Sequence, residues 1–476
     1  MSEQTYDLVV IGAGPVGENA ADRAVQGGLS VAIVERELVG GECSYWACIP
    51  SKALLRPIHA LAAARRLPGS REAAAGPIDV AAVLAHRDAF ISALDDAGQV
   101  SWLDGAGINL VRGHGRLAGE KSVQVDGPDG IVTLRARHAV VIATGTRAAV
   151  PPLPGLREAT PWTSREATTA TAAPRRLLVL GGGVVACEMA QVWKALGSET
   201  VTIVERADRL LGRTEAFAGE LVKAGLERAG VAVLLGTSVE RVDRPVAGGP
   251  VTATLSDGRT VEADEILCAV GREPSSADLG LATVGLTDGR YLEVDDTMAV
   301  QGVDGQWLYA AGDINGRVLL THQGKYQSRA VGDLIAARAT GGPEDTAAWG
   351  KHVATADLHA IPQVVFTDPE VAAVGLTEQH ARDAGYPVRA VEYGIGNVAG
   401  AALHAQGYQG RAKLVFDSER EVLLGATFVG QDVAEMVHAA TIALVGEVPI
   451  SRLWHAVPSF PTMSEVWLRL LEEWGR

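Results

Sequence analysis

One pattern occurs twice in this chain, and it restricts the possible folds more than any other feature. Each copy reads as a strand, a glycine-rich turn, a helix and a second strand that ends at an acid, Glu35 in one copy and Glu205 in the other. The glycines of the two turns are Gly12, Gly14, Gly17, Gly181 and Gly183. Such glycines permit a tight turn and close approach of a pyrophosphate to the helix N-terminus, and the acid binds ribose hydroxyls. We therefore predict two dinucleotide sites.

The rest of the chain places these two units in a larger α/β protein. A chain of 476 residues exceeds one ordinary core. Clusters of proline and glycine at 151–155 and 341–345 indicate domain boundaries. The last part reads as strands at 412–416 and 422–426, followed by a helix over about 433–445. We predict an α/β fold with two Rossmann-like dinucleotide-binding domains and a C-terminal α+β domain.

Charge and composition restrict which partners the protein can bind and in which cellular compartment it is expected. The formal net charge of −15 argues against nucleic acid and against an anionic membrane surface, since both attract basic proteins. No apolar run approaches the roughly 20 residues of a membrane span. The N-terminus has no basic start, so we expect no signal peptide. Four cysteines are too few for a secreted disulfide scaffold, and we expect a reducing compartment, the cytoplasm.

Two of the cysteines, Cys43 and Cys48, lie shortly after the first glycine unit, at the start of a predicted helix. Their spacing is too wide for Cys-x-x-Cys, and no second Cys or His pair completes a structural zinc site, so no metal is predicted. A helix start at Cys48 favours a thiolate there and leaves Cys43 as the more exposed partner. Two ordinary buried thiols are the alternative. Cys187 and Cys268 are predicted to be small core residues.

The segment Gly40–Leu55 contains Gly-Gly-x-Cys-x4-Cys-Ile-Pro-Ser-Lys. It resembles the signature of the flavin-dependent pyridine nucleotide-disulfide oxidoreductases, which include dihydrolipoamide dehydrogenase, glutathione reductase and mercuric reductase. The resemblance implies that Cys43 is the interchange thiol and Cys48 the charge-transfer thiol that faces the flavin. It also implies that Lys52 lies beside the reactive nitrogen of the flavin and forms an ion pair with Glu188.

The resemblance further implies a domain order and more flavin contacts. An FAD-binding domain would comprise 1–150 and 272–342, an NAD(P)-binding domain 151–271, and an interface domain 343–476. Three short turns are similar to family motifs that contact the cofactors or join the domains. Their residues are Thr144, Gly145, Gly271, Arg272, Gly312 and Asp313. Asp313 would bind the ribityl chain.

The second glycine unit would then bind the nicotinamide nucleotide. Glu205 suits the free ribose hydroxyls of NADH and would repel the 2′-phosphate of NADPH. Arg206 and Arg209 follow closely, so some use of NADPH stays open. The expected cofactors are FAD and NADH.

The C-terminal part contains the largest departure from the family pattern. Residues 361–370 resemble the entry to the interface domain, which implies a homodimer whose active sites are completed by the partner subunit. In dithiol-handling members the tail reads His-Pro-Thr-x-Ser-Glu, with the His as general base and the Glu orienting it. Here Phe460 stands in place of the His, and Glu465 is retained. Loss of a positioned base costs about 10²–10⁴ in rate, although His455 could serve as a substitute.

Three functions are compatible with these residues. In the first, electrons pass from NADH through FAD to the cysteine pair and then to an external disulfide such as lipoamide. In the second, the acceptor is a quinone, a metal ion or another small oxidant that needs no base at Phe460. No cysteine follows Cys268, so the C-terminal cysteine pair of mercuric reductases is missing. The third is a nucleotide-sensing flavoprotein dimer without catalysis.

Overall fold

The computed structural model describes residues 2–475, and the chain forms two compact units of three segments each. The first unit consists of Met1–Pro50, Asp88–Ala148 and Gly271–Leu358. The second consists of Ser51–Arg87, Ala149–Val270 and His359–Arg476. The boundaries of the three domains expected from the sequence stay a prediction.

Strands and helices alternate over 2–35 and 176–234, and runs of consecutive strands make up much of the remaining chain. The strands are β1 Ser2–Ile11, β2 Val31–Glu35, β3 Asn109–Arg112, β4 His114–Leu117, β5 Ser122–Gly127, β6 Gly130–Ile142, β7 Thr146–Ala148, β8 Arg176–Leu180, β9 Thr200–Val204, β10 Val231–Leu234, β11 Val239–Asp243, β12 Val251–Leu255, β13 Thr260–Ala263, β14 Glu265–Cys268, β15 Arg272–Pro274, β16 Leu308–Ala310, β17 Pro362–Val365, β18 Glu370–Gly375, β19 Val388–Gly394, β20 Arg411–Asp417 and β21 Val422–Gly430. The helices are α1 Pro15–Gln26, α2 Gly41–Tyr45, α3 Cys48–Arg65, α4 Ser70–Ala73, α5 Val80–Phe90, α6 Ala97–Gly105, α7 Ser164–Thr169, α8 Val184–Ala195, α9 Ala216–Arg228, α10 Thr321–Thr340, α11 Ala356–His359, α12 Glu378–Asp383, α13 Ala399–His404, α14 Val437–Val445, α15 Ile450–Leu453 and α16 Val466–Trp474.

The first unit is built on a parallel sheet in the order β3-β2-β1-β6, with β16 added beside β6. The antiparallel strands β5 and β4 extend the sheet. All five residues of β2 are buried, as expected for Val- and Ile-rich parallel strands that are covered on both faces. The chain order reverses between β1 and β6, and ligands of such sheets bind at this point, beside the carboxyl ends of the strands.

The second unit repeats this arrangement in a parallel sheet of order β10-β9-β8-β14. Helix α8 follows β8 and is buried almost throughout, from Ala186 to Trp193. A small antiparallel sheet, β11-β12-β13, lies in the same unit. The predicted repeat of two strand–helix–strand units, and with it the α/β fold class, is confirmed.

The C-terminal part forms an antiparallel sheet of order β17-β18-β21-β20-β19. The strands predicted at 412–416 and 422–426 lie within β20 and β21. Helix α14 begins at Val437 rather than near 433, because the residues Ala434–Met436 form a 3-10 turn. The α+β character of this part is as predicted.

Candidate functional site

The two glycine turns have matching geometry. Gly12 and Gly181 both have a φ of +102°, which side chains other than glycine rarely adopt. A Cβ on Gly12 would lie 2.6 Å from the carbonyl oxygen of Ala143, and one on Gly181 would lie 2.5 Å from that of Ala269. Only glycine therefore allows the turns after β1 and β8 to pack against the chain that follows the neighbouring strands β6 and β14.

The helices after these turns begin at glycines that leave room for a ligand. Gly14 caps α1 and Gly183 caps α8, and neither end has a side-chain cap that would satisfy the first N–H groups. No atom lies within 4 Å of a Cβ built on Gly183, so the space at this helix start is open. A Cβ on Gly17 would collide with the carbonyl oxygen of Gly12. These features fit a pyrophosphate at each helix start.

The acids of the two units are held by backbone N–H groups. In the first unit, Glu35 accepts hydrogen bonds from the N–H of Ala13 and of Glu37, both at 2.8 Å. Burial raises the pKa of Glu35, and the two backbone hydrogen bonds oppose this shift. In the second unit, Glu205 accepts a hydrogen bond from the N–H of Ala207 at 2.7 Å. Both carboxylates are fixed where the second strand of the unit ends.

The two cysteines of the sequence motif come together in the first unit. Cys43 lies in the middle of α2, and Cys48 is the first residue of α3, as predicted. Both are thiols, not joined by a disulfide. The hydrogen bond with Cys48, and then burial, raises the pKa of the Cys43 thiol. The Thr321 hydroxyl lies 3.5 Å from the sulfur of Cys48.

The prediction that Cys43 is the more exposed thiol is wrong, since Cys43 is half-buried and Cys48 is exposed. The start of α2 packs closely on the start of α1, where a Cβ on Gly41 would lie 2.8 Å from the Cα of Gly14. Cys43 lies two residues after this contact, on the same short helix. Cys48 lies in the exposed first turn of α3, next to Ile49, which is also exposed.

The ion pair predicted between Lys52 and Glu188 is present in the second unit. The ammonium nitrogen of Lys52 lies 2.7 Å from Oε2 of Glu188, whose side chain is only 3% exposed. The other carboxylate oxygen accepts the N–H of Phe366 at 2.9 Å. The ammonium also lies 4.9 Å from the centre of the Phe366 ring. Glu188 is therefore a buried, fully engaged carboxylate rather than a solvated charge.

A polar network surrounds Asp313 in the first unit. The hydroxyl of Thr146 donates to Asp313 at 2.7 Å, and Arg272 donates from Nε to that hydroxyl at 2.6 Å. Arg272 also forms an ion pair with Glu42. Burial raises the pKa of Asp313. The sequence pointed to Asp313 and Arg272 but to neither Thr146 nor Glu42, because no motif spacing marks residues that pair across the fold.

Other residues of the predicted flavin motifs lie on turns whose glycines have positive φ. The hydroxyl of Thr144 is buried and has no hydrogen-bond partner in residues 2–475, so it is available to a ligand. Gly145, Gly271 and Gly312 have φ values of +67°, +146° and +78°. A Cβ on Gly312 would lie 2.9 Å from the side chain of Val16 in the first turn of α1. Of these turns, the one at Gly312 lies against the start of α1.

The C-terminal tail presents Phe460 to solvent and buries Glu465. Phe460 is 76% exposed, and His455 is exposed as well. One oxygen of Glu465 accepts a hydrogen bond from Arg469 at 2.6 Å. The other is buried without a hydrogen-bond partner in the part of the chain that the structure describes. The carboxylate that the resemblance assigns to orient a histidine has an unused acceptor.

The other two cysteines are core residues. Cys187 and Cys268 lie in the core, as predicted, and burial raises the pKa of both thiols. Across residues 2–475, no three His, Cys, Asp or Glu side chains are grouped to hold a metal ion. No helix within this range has the length and apolar character needed to span a bilayer.

Comparison with known proteins gives matches over nearly the whole chain. The profile of the family "Pyridine nucleotide-disulphide oxidoreductase" matches residues 6–330, and that of its dimerisation domain matches 361–470. A mercuric reductase of Staphylococcus aureus is 31% identical over 97% of this chain and 81% of its own length. A dihydrolipoyl dehydrogenase of Thermus scotoductus is 34% identical over 97% of this chain and 96% of its own.

Solved structures share the fold. The Cu(II) complex of the HOCl-induced flavoprotein disulfide reductase RclA from Escherichia coli superimposes with a TM-score of 0.83 at 24% identity. The superposition covers 98% of this chain and 99% of the other.

Proposed function

Because this chain belongs to the pyridine nucleotide-disulphide oxidoreductases, a family of flavin-dependent enzymes, we propose that it passes electrons from NADH through FAD to a Cys43–Cys48 disulfide. From the resulting dithiol the electrons go to a small external acceptor. The observation that carries this proposal is the pairing of Cys43 with a thiol at the first residue of α3.

The two thiols have different tasks in this proposal. Bound FAD would supply the two-electron chemistry between the hydride of NADH and the cysteine disulfide. Cys48 takes the thiolate form, which the N-terminus of α3 stabilises. Cys43, with its raised pKa, receives the proton and later attacks the acceptor. With a disulfide acceptor, one NADH and one proton yield NAD⁺ and two product thiols, and the cysteine disulfide forms again.

The first glycine unit holds FAD in this proposal, and the second holds the nicotinamide nucleotide. Gly12, Gly14 and Gly17 shape the FAD turn, and Glu35 holds the adenosine ribose. Thr144, Gly145, Gly271, Arg272, Gly312 and Asp313 contact the flavin nucleotide or the turns beside it. The unpartnered hydroxyl of Thr144 supports this assignment. Lys52, paired with Glu188, lies beside the reactive nitrogen of the flavin.

NADH is the preferred reductant in this proposal. Gly181 and Gly183 shape its turn, and the carboxylate of Glu205, held by the N–H of Ala207, repels a 2′-phosphate. The ratio of kcat/KM for NADH to that for NADPH tests this preference. We expect a ratio well above one that falls in Glu205→Gln, because the repulsive charge is removed. A ratio below one in the unaltered enzyme would contradict the proposal.

The dimerisation domain supports a homodimer. We propose further that the tail of the partner subunit completes each active site. Phe460 and Val457 are 76% and 84% exposed in the single chain, which suits apolar side chains that a partner covers. Glu465 lies on the same tail.

The acceptor in this proposal is either a small disulfide or another small oxidant. The presence of Phe460 in place of a histidine favours an oxidant that is not a disulfide. The phenyl ring of Phe460 cannot accept the proton that a dithiol releases. The buried oxygen of Glu465 that lacks a hydrogen-bond partner in residues 2–475 has no imidazole to orient at position 460. A quinone or a metal ion needs no base at this position. A dihydrolipoyl dehydrogenase is among the relatives, however, and the intact cysteine pair favours a disulfide.

Parallel assays of NADH oxidation with lipoamide and with a simple quinone separate the two classes. Fast lipoamide turnover supports a disulfide acceptor, and fast quinone turnover with negligible lipoamide turnover supports the other class. Phe460→His should raise lipoamide turnover if only the base is missing, whereas Phe460→Leu serves as the matched control for loss of the ring. Turnover with neither acceptor, nor with a metal ion, would contradict the proposed function.

A further inference from the structure

A buried polar network in the first unit joins helix α10 to the turn that carries Asp313. The side chains of Asn315, Gln327 and Asp357 are all buried. The amide oxygen of Gln327 accepts hydrogen bonds from the N–H of Gly312 at 2.7 Å and from the side-chain amide of Asn315 at 2.8 Å. The amide nitrogen of Gln327 donates to Asp357 at 2.7 Å. The proposed electron transfer uses none of these three side chains.

Gln327 binds the first and the last residue of one short turn. Gly312–Asn315 form a 3-10 turn, and Asp313 is its second residue. Gly312 is bound through its backbone N–H and Asn315 through its side chain. Because one amide oxygen holds both ends of the turn, the place of the Asp313 carboxylate depends on the place and orientation of the Gln327 amide.

The orientation of this amide is fixed from two directions. A backbone N–H can only donate, so the oxygen of Gln327 must face Gly312. An ionised carboxylate can only accept, so the nitrogen of Gln327 must face Asp357. The second oxygen of Asp357 accepts a hydrogen bond from Gln323 at 2.9 Å, and Nε of Arg317 lies 3.6 Å from the first. Burial raises the pKa of Asp357, and the Gln327 hydrogen bond and the Arg317 charge oppose this shift.

Helix α10 also packs directly on the backbone of the turn. Gly324 lies three residues before Gln327 on this helix. A Cβ on Gly324 would lie 3.1 Å from the Cα of Gly312 and 2.6 Å from the side chain of Val16. The close contact at Gly324 and the hydrogen bonds of Gln327 therefore hold the same turn against the same helix.

We propose that Gln327 and Asp357 are positioning residues for FAD. Asp357 orients the amide of Gln327, and Gln327 holds the Gly312–Asn315 turn where the Asp313 carboxylate can bind the ribityl chain. This inference rests on the proposed function, in which Asp313 binds that chain. The network acts on the cofactor through Asp313, so its contribution is measured as retention of FAD.

The test is the rate at which the holoenzyme releases FAD, followed by the fluorescence of the freed flavin. Gln327→Met keeps the length of the side chain and removes its hydrogen-bonding groups, so the N–H of Gly312 and the amide of Asn315 lose this acceptor. We expect FAD release to be faster by about tenfold or more, because a buried donor without an acceptor is costly. Hydrogen exchange at the Gly312 amide should also become faster.

Moving the negative charge from position 357 to position 327 should restore FAD retention. When Gln327→Glu is combined with Asp357→Asn, the carboxylate at 327 accepts from Gly312 and Asn315. The new amide at 357 donates to that carboxylate and accepts the hydrogen bond of Gln323. Every hydrogen bond of the network is thus replaced, and we expect FAD release close to that of the unaltered enzyme. A loss of packing alone would not be reversed in this way.

A single variant keeps the test decisive if Gln327→Met does not fold. Gln327→Glu alone places a second carboxyl against Asp357, and two like charges in contact cannot both ionise without repulsion. FAD release from this variant should become faster as the pH rises, whereas release from the double variant should not. The same pH dependence in both would overturn the inference.

Gln379→Met is the matched control for the loss of a glutamine. Gln379 is exposed on α12 and donates to Asp383 at 2.8 Å, so this variant also breaks a bond from glutamine to aspartate. It should leave FAD release unchanged. Unchanged release in Gln327→Met would overturn the inference, and so would a double variant that releases FAD as fast as Gln327→Met. A Gln327→Met enzyme that unfolds more easily but keeps FAD would show a purely structural role and would also overturn it.

FAD release is measured without NADH or an acceptor, so the two proposals fail in different ways. A purified enzyme that holds no FAD would contradict the proposed function itself. An enzyme that holds FAD and releases it at one rate in all variants would overturn the inference alone.

Discussion

Replacing Lys52 with methionine should show how much the local stability around the buried Glu188 carboxylate depends on its ion pair. The variant keeps the apolar stem and removes the ammonium, which leaves a carboxylate that is 3% exposed with the N–H of Phe366 as its hydrogen-bond donor. Removing one partner of a buried pair costs about 3–5 kcal/mol. Lys52 is itself 35% exposed, so solvent already weakens the pair, and we expect a loss of about 2 kcal/mol.

The assay is hydrogen exchange at the amide of Phe366, which the Glu188 carboxylate protects. A loss of about 2 kcal/mol in local stability corresponds to exchange about 30-fold faster. Glu188→Gln added to Lys52→Met should restore most of the protection, because a neutral pair leaves no uncompensated charge and the amide oxygen still accepts the N–H. Unchanged exchange in Lys52→Met, or a double variant that loses more protection than the two single variants together, would contradict the dependence of Glu188 on Lys52.

Two other predictions concern the glycine turns and Glu18. Gly12→Ala should weaken FAD binding and Gly181→Ala should weaken NADH binding, each by about tenfold or more, because the added Cβ would collide with a carbonyl oxygen at a strained φ. Equilibrium titration of each variant with each cofactor checks this. Weakened binding of the same cofactor in both variants would contradict the prediction. Burial raises the pKa of Glu18, in the first turn of α1, from 4.5 to about 7. Its stabilising contribution is therefore complete below about pH 4.5 and lost as pH rises through about 7, so Glu18→Gln should gain about 3 kcal/mol relative to the unaltered enzyme by about pH 8. Thermal unfolding at about pH 5 and pH 8 checks the sign, and an equal effect at both would refute it.

Features set by local sequence were predictable. The tight turns at Gly12 and Gly181 follow from spacing within one strand–helix unit, because only glycine fits a left-handed position against a neighbouring strand. The pair of Lys52 and Glu188 was accessible only through the resemblance, since 136 residues separate them.

Features set by packing across the fold were not predictable. The relative exposure of the two thiols depends on how α2 rests on α1, which no periodicity encodes, and the prediction for Cys43 was therefore wrong. Thr146 and Glu42 gave no signal, because their partners lie on distant segments. Glu18 reads as an ordinary acid in the first turn of a helix, and only the packed structure shows that its Oε1 atom is buried without a hydrogen-bond partner in residues 2–475.

The role of Cys48 is tested most directly by the absorption spectrum of the FAD-bound enzyme after anaerobic addition of a stoichiometric amount of NADH. We expect a long-wavelength band, which a thiolate produces beside an oxidised flavin, in the unaltered enzyme. Cys48→Ser should bind FAD normally and lack the band. An unaltered enzyme without the band, or a Cys48→Ser enzyme that keeps it, would contradict the role of Cys48.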